Sequence, residues 1–159
     1  MNGPISANNF IKVPHTSAEK NNLNLTGRYV YLQYQNFEEA PYTIHLDFKI
    51  RDRNNLRVSI SNLFRQVAQP NDFVWQVPLC LGGEWGIVCV DIEGVMRMAN
   101  LYPENYDYTD SHALKSAQFC STMNVRGFFT SDNLYTWQNL PSDMTYKMPA
   151  GQNQRDWED

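Results

Sequence analysis

The sequence predicts a mainly β protein, an antiparallel two-sheet β-sandwich of jelly-roll-like form with one short α-helix. Three observations lead there. The runs Leu25–Tyr34, Pro41–Ile50 and Leu56–Phe64 alternate apolar and polar residues with a period of two, as half-buried strands do because successive side chains leave opposite faces of the pleat. Turn-forming residues recur about every eight to twelve positions, the spacing of a sandwich. Aromatic residues make up 13% of the chain, enough large side chains to fill the space between two sheets.

Each element follows from its local pattern. Asn9 to Val13 is a short strand stopped by Pro14, and residues 15–24 form a polar loop. The strand Gly27–Tyr34 carries Tyr29 and Tyr31 on one face and Val30, Leu32 and Tyr34 on the other, so both faces are expected to be covered. After a turn over Asn36–Pro41, the strand Tyr42–Ile50 turns Tyr42, Ile44, Leu46, Phe48 and Ile50 inward and Thr43, His45, Asp47 and Lys49 outward. Residues 51–55 are a hairpin loop, leading to a strand with Leu56, Val58 and Ile60 inward and Arg57 and Ser59 outside. Residues 61–65 break the alternation in a tight corner or a single helical turn.

Phe73, Trp75, Val77 and Leu79 alternate again, with Pro78 favouring a sheet edge or a bulge. Gly82 and Gly83 turn into a strand over Glu84–Asp91. Ile92, Val95, Met96 and Ala99 recur at three and four, which predicts a helix over 92–101 capped by Asp91 and ended by Pro103. Residues 103–113 are an acidic loop bearing tyrosines. Ala117, Phe119, Ser121 and Met123 predict another strand and Val125–Thr130 a further one, and from Asp132 the chain is irregular.

With 159 residues the chain is expected to form one domain over 1–159 with a core that needs no covalent staples. The net charge of −4 argues against a general nucleic-acid binder. The charge is unevenly divided. Residues 1–65 hold eight Lys/Arg against five Asp/Glu, and residues 66–159 hold five against twelve. Such a split suits a domain wedged between unlike neighbours, and it equally suits surfaces that merely stay soluble. Cys80, Cys89 and Cys120 lie in apolar runs without metal-ligand spacing, so all three are expected to be small buried hydrophobes in a reducing compartment. The first residues lack the basic and apolar segments of a signal peptide, and no apolar run approaches the ~20 residues that span a bilayer. A soluble intracellular protein with neither nucleic-acid nor membrane partners is expected.

The residues that carry chemistry are sparse. Neither a Gly-rich phosphate loop nor a Gly-x-Ser-x-Gly elbow is present. His15 and His112 fall in predicted loops. His45, flanked by Thr43 and Asp47 on a polar strand face, is either a base or a solvated cross-strand partner. Glu104, Asn105, Asp107 and Asp110 offer oxygens without the ordered spacing of a calcium loop. No catalytic residue, metal or cofactor is assigned. Lys49, Arg51, Arg53 and Arg57 cluster around one hairpin tip and are the candidate partner-binding residues. Four cations on a protruding turn suit an acidic protein surface or a phosphate, or they protect a sheet edge from aggregation. Tyr102, Tyr106 and Tyr108 offer an aromatic surface, with Tyr102 expected to anchor the helix to the core.

Several stretches together resemble a known family. They are Asn9–Pro14, Leu25–Tyr31, Ile44–Asp47, Arg57–Phe64, Trp85 at its strand start, Arg126–Asp132 and Met148–Gly151. They resemble the ciliary and centriolar domain typified by cilia- and flagella-associated protein 20, and within it the amino-terminal domain of centriolar WD-repeat proteins. The resemblance covers nearly the whole chain. It implies a β-sandwich with a short helix, without enzymatic activity or cofactor, docking on microtubule walls at the inner junction of doublets or triplets. The implied partners are tubulin and other inner-junction proteins, and the implied location is the cytoskeleton of centrioles, basal bodies or cilia. It further implies that the chain is part of a longer protein continuing into WD-repeat propellers. One or two strands that precede the equivalent of Asn9 in the family have no counterpart here, and the 103–113 loop is longer and more acidic than the family pattern. The alternative reading, from the tyrosines and the sandwich, is a carbohydrate- or small-ligand-binding jelly-roll module.

Overall fold

The computed structural model describes residues 9–15, 22–37, 40–51, 55–102, 106–108, 111–136 and 138–145. Among them the alternating runs become strands β1 (Phe10–Val13), β2 (Tyr29–Asn36), β3 (Thr43–Ile50), β4 (Leu56–Ser61), β5 (Ala68–Asn71), β6 (Val74–Pro78), β7 (Trp85–Asp91), β8 (His112–Cys120) and β9 (Met123–Ser131). One helix, α1 (Ile92–Met98), follows β7. Six strands form a sheet in the order β1-β8-β3-β4-β6-β5, and three form a second in the order β7-β2-β9. The sandwich expected from the sequence is the observed architecture.

The core lies between the sheets. Ile44, Leu46 and Phe48 of β3, Leu56, Val58 and Ile60 of β4, and Val30, Leu32 and Tyr34 of β2 are all buried within it. Phe119 of β8 faces Phe128 of β9 across the layers, ring centroids 6.1 Å apart. Strand β2 is covered on both sides, as its two apolar faces require. Its outer face is closed by the chain beyond β9: Tyr31 stacks on Phe129 at 4.8 Å, donates to the carbonyl of Asn133 at 3.2 Å and accepts the Tyr135 amide at 2.7 Å.

Gly27 opens β2 at φ 128°. A Cβ there would stand 2.9 Å from the backbone nitrogen of Ser131, so both conformation and space demand glycine.

The structure departs from the expected elements in six places. Strand β6 is parallel to β4, and the intervening residues run back as β5, which takes the outer edge that Pro78 was expected to occupy. Alternation fixes which face a side chain takes, not the direction of the neighbouring strand, so the pairing is not written locally. Phe73, read as the first alternating residue of this strand, precedes β6 in a turn and is 46% exposed. Ser121 and Met123 do not share a strand, because Ser121 sits in the β8–β9 turn at φ 100°. Helix α1 ends before Pro103. Asn100 takes φ 51°, its amide donates to Arg97 and that of Leu101 to Met96, closing the last turn in a Schellman arrangement.

Cys120 is buried, but Cys80 and Cys89 are exposed; Cys89 lies on the outer face of edge strand β7 and Cys80 in the link before it. Finally, His112 begins β8 and is buried, its ring bonded to the Ser111 hydroxyl at 3.1 Å and to the Gly27 carbonyl at 3.0 Å. Among the described residues no helix is long and apolar enough to cross a membrane.

Candidate partner-binding surface

Strands β3 and β4 pair antiparallel, and the chain is held in place where it leaves β3. The Arg51 amide donates to the Ser111 carbonyl at 2.7 Å, and the Tyr102 hydroxyl donates to the Arg51 carbonyl. Lys49 points outward because Phe48 and Ile50 point into the core, and both Lys49 and Arg51 are exposed. Arg53 lies outside the described residues.

Arg57 is placed differently from the tip. Its Nε donates to Asp47 Oδ1 at 2.6 Å and its Nη2 to Oδ2 at 3.0 Å, across the Asp47–Arg57 pair of the antiparallel ladder. The Ser116 hydroxyl donates to the same carboxylate at 3.1 Å. Burial alone would push the Asp47 carboxyl up, but Arg57, Ser116 and Lys12 outweigh it and hold it below the usual carboxylate range. The charge of Arg57 is therefore largely answered within the sheet.

Lys49 and Arg51 line a cleft of about 1010 Å³ that continues past Asp72 and Phe73 to the end of α1 at Asn100 and Leu101. Its lining mixes these cations with Asn55, Asp72 and the apolar side chains of Leu56, Phe73 and Leu101. Phe73 and Asn55 also line a second cleft of about 420 Å³ that Arg57 faces. Phe73 is a surface feature that sequence reading missed, since its alternation with Trp75, Val77 and Leu79 marked it only as part of a strand.

The remaining sequence candidates do not converge on chemistry. His45 Nδ1 bonds to Ser59 Oγ at 2.9 Å, and burial followed by the charge of Arg57 lowers its pKa. Both Asp47 oxygens are taken by Arg57 and Ser116, so Asp47 does not orient His45 as a base would need. Of the acidic-loop oxygens only Asp107 lies within the described residues, where no group of three or more His, Cys, Asp or Glu is disposed to hold a metal. Tyr102 and Tyr106 stack at 3.8 Å, Tyr106 meets Tyr108 edge-on at 5.5 Å, and Arg97 sits 5.0 Å over Tyr108. Tyr108 is buried in the core, and Tyr102 and Tyr106 pack against that core as well as against one another.

Comparison with known proteins places this scaffold. The family profile of the CFA20 domain matches residues 1–148. The chain belongs to the CFA20 domain family. Among its relatives, WD repeat-containing protein 90 of Homo sapiens is 30% identical over 183 residues, covering 98% of this chain and 10% of that protein. Centriole proteome protein 16 of Chlamydomonas reinhardtii is 31% identical over 147 residues, covering 91% of this chain and 7% of that protein. This CFA20 domain thus spans a tenth or less of the length of these two relatives.

Proposed function

We propose that this CFA20 domain is a non-enzymatic docking module of centrioles, basal bodies or cilia. It attaches to microtubule walls at the inner junction of doublets or triplets, with tubulin and other inner-junction proteins as partners. Family membership and the centriolar name of one relative support the setting. In keeping with the WD-repeat name of another, the domain precedes WD-repeat propellers in a longer protein.

The observation that carries the docking role is the hairpin itself. Lys49 and Arg51 are exposed beside a broad cleft, on a base pinned by Ser111 and Tyr102. Exposed cations on a backbone held in place favour an acidic surface such as the microtubule wall, and they do so less as salt rises. Co-pelleting with microtubules tests this. Binding is expected to fall with added salt and to weaken about tenfold in Lys49→Glu/Arg51→Glu, roughly 1.4 kcal/mol. Undiminished pelleting of that variant would remove the hairpin from the contact, and absence of pelleting by the parent chain would remove the microtubule.

A further inference from the structure

The second cleft lies on the outer face of the six-stranded sheet and shares Asn55 and Phe73 with the first, but neither Lys49 nor Arg51 lines it. It runs across the strands, from Lys12 on β1 past Lys115 and Ser116 on β8 and Asp47 on β3 to Arg57 on β4, and ends against Phe73 and Val74 at the start of β6. Four inter-strand gaps of ~4.8 Å make a track of roughly 19 Å, the reach of about six residues of extended chain at ~3.3 Å each.

Its charge is one-sided. Among the described residues, Lys12, Arg57 and Lys115 face it against the single carboxylate of Asp47, which is already gripped by Arg57. Lys12 and Lys115 have no carboxylate within ion-pair distance among the described residues. This is a cationic strip on a chain whose net charge is −4. The cations are distributed over three different strands, which suits carboxylates strung along a backbone better than a single phosphate. The Ser116 side chain is small and buried, so the floor admits a main chain. Asn22 and Asn55 flank the cleft with amide groups able to bond that main chain. Phe73 stands at one end, 46% exposed and held by the Arg57 amide, which donates to its carbonyl at 2.7 Å.

We propose that this cleft is a second recognition site, one that takes an extended acidic peptide segment laid across the strands, its carboxylates on Lys12 and Lys115 and an apolar side chain against Phe73. It builds on the reading of the domain as a docking module but rests on residues separate from Lys49 and Arg51.

The test uses a fluorescein-labelled hexaglutamate peptide and a hexalysine control, followed by fluorescence anisotropy with the whole chain. Hexaglutamate is expected to bind and to be released as salt rises, while hexalysine does not bind. Lys12→Glu/Lys115→Glu is expected to weaken binding at least tenfold, and Lys12→Gln/Lys115→Gln to do so less, with an unchanged melting temperature certifying the fold of the milder pair. A peptide ending in phenylalanine is expected to bind tighter than hexaglutamate, and Phe73→Ala to erase that advantage. Equal affinity of parent and Lys12/Lys115 variants overturns the proposal, as does loss of binding only in Lys49→Glu/Arg51→Glu. Microtubule co-pelleting of the same variants separates the two sites: failure at the outer face leaves the hairpin reading intact, and the reverse holds equally.

Discussion

Arg28 holds Asp91 with two nitrogens, Nε 3.0 Å from Oδ1 and Nη2 2.7 Å from Oδ2. The same carboxylate accepts the Gly94 amide at 3.1 Å and so caps α1. One side chain thereby ties the start of β2 to the junction where β7 becomes helix. Arg28 stands beside Gly27 in the Leu25–Tyr31 stretch, which gives that stretch its physical sense: the glycine lets the chain pass Ser131, and the arginine then reaches the helix start.

Asp91→Ala is expected to destabilise the chain by between about 1 and 2 kcal/mol. Roughly 1 kcal/mol comes from the cap, and less than that from an ion pair whose partners are both 37% exposed. Asp91→Asn keeps the capping oxygen and is expected to cost under about 1 kcal/mol. Urea unfolding measures both, and equal losses would show that the cap contributes nothing.

Gly27→Ala meets two obstacles, a positive φ and a 2.9 Å approach to the Ser131 backbone. A loss of about 2–3 kcal/mol is expected, with weaker amide protection in β9 than in β4 when hydrogen exchange is followed. A change within about 0.5 kcal/mol would mean that the backbone relaxes there freely.

Tyr31→Phe removes a hydroxyl that both donates to Asn133 and accepts from Tyr135. A cost of about 1–2 kcal/mol is expected. Faster exchange at the Tyr135 amide should accompany it, with β3 and β4 unaffected. Unaltered exchange at that amide would leave the stacked rings as the sole anchor of the segment.

Acid is expected to destabilise the fold in two stages. His45 has a lowered folded pKa, from burial and then Arg57. The unfolded chain therefore binds more protons as pH falls below about 6.5, and stability declines from there. Asp47 and Asp91 are held low against the opposing effect of burial, by Arg57 and Arg28 respectively. Their contribution is complete above about pH 4 and is lost as pH falls through the lower folded values. Melting temperature against pH measures this. His45→Gln should flatten the first stage and Asp47→Asn the second, and a profile unaltered in either variant assigns that stage elsewhere.

How legible the molecule was depends on range. The inward sets of β3 and β4 and the cap at Asp91 were readable because each is written within a few residues. The candidate site was half readable. Lys49 and Arg51 stand where their alternation and turn position put them, whereas Arg57 has its charge met by Asp47, ten positions back but directly opposite in the ladder. Lys12 and Lys115 share a cleft only because β1 pairs with β8, a contact that neither local sequence announces.

Residue order alone determined the layered sandwich and the side of each strand that faces inward, because a period-two pattern is a property of neighbouring residues and burial follows it directly. Tertiary structure alone decided the parallel β4–β6 pair, the exposure of Cys80, Cys89 and Phe73, and which cations keep an unanswered charge. Those outcomes depend on which distant segment arrives alongside, and strand pairing is a competition among many backbones offering the same hydrogen bonds.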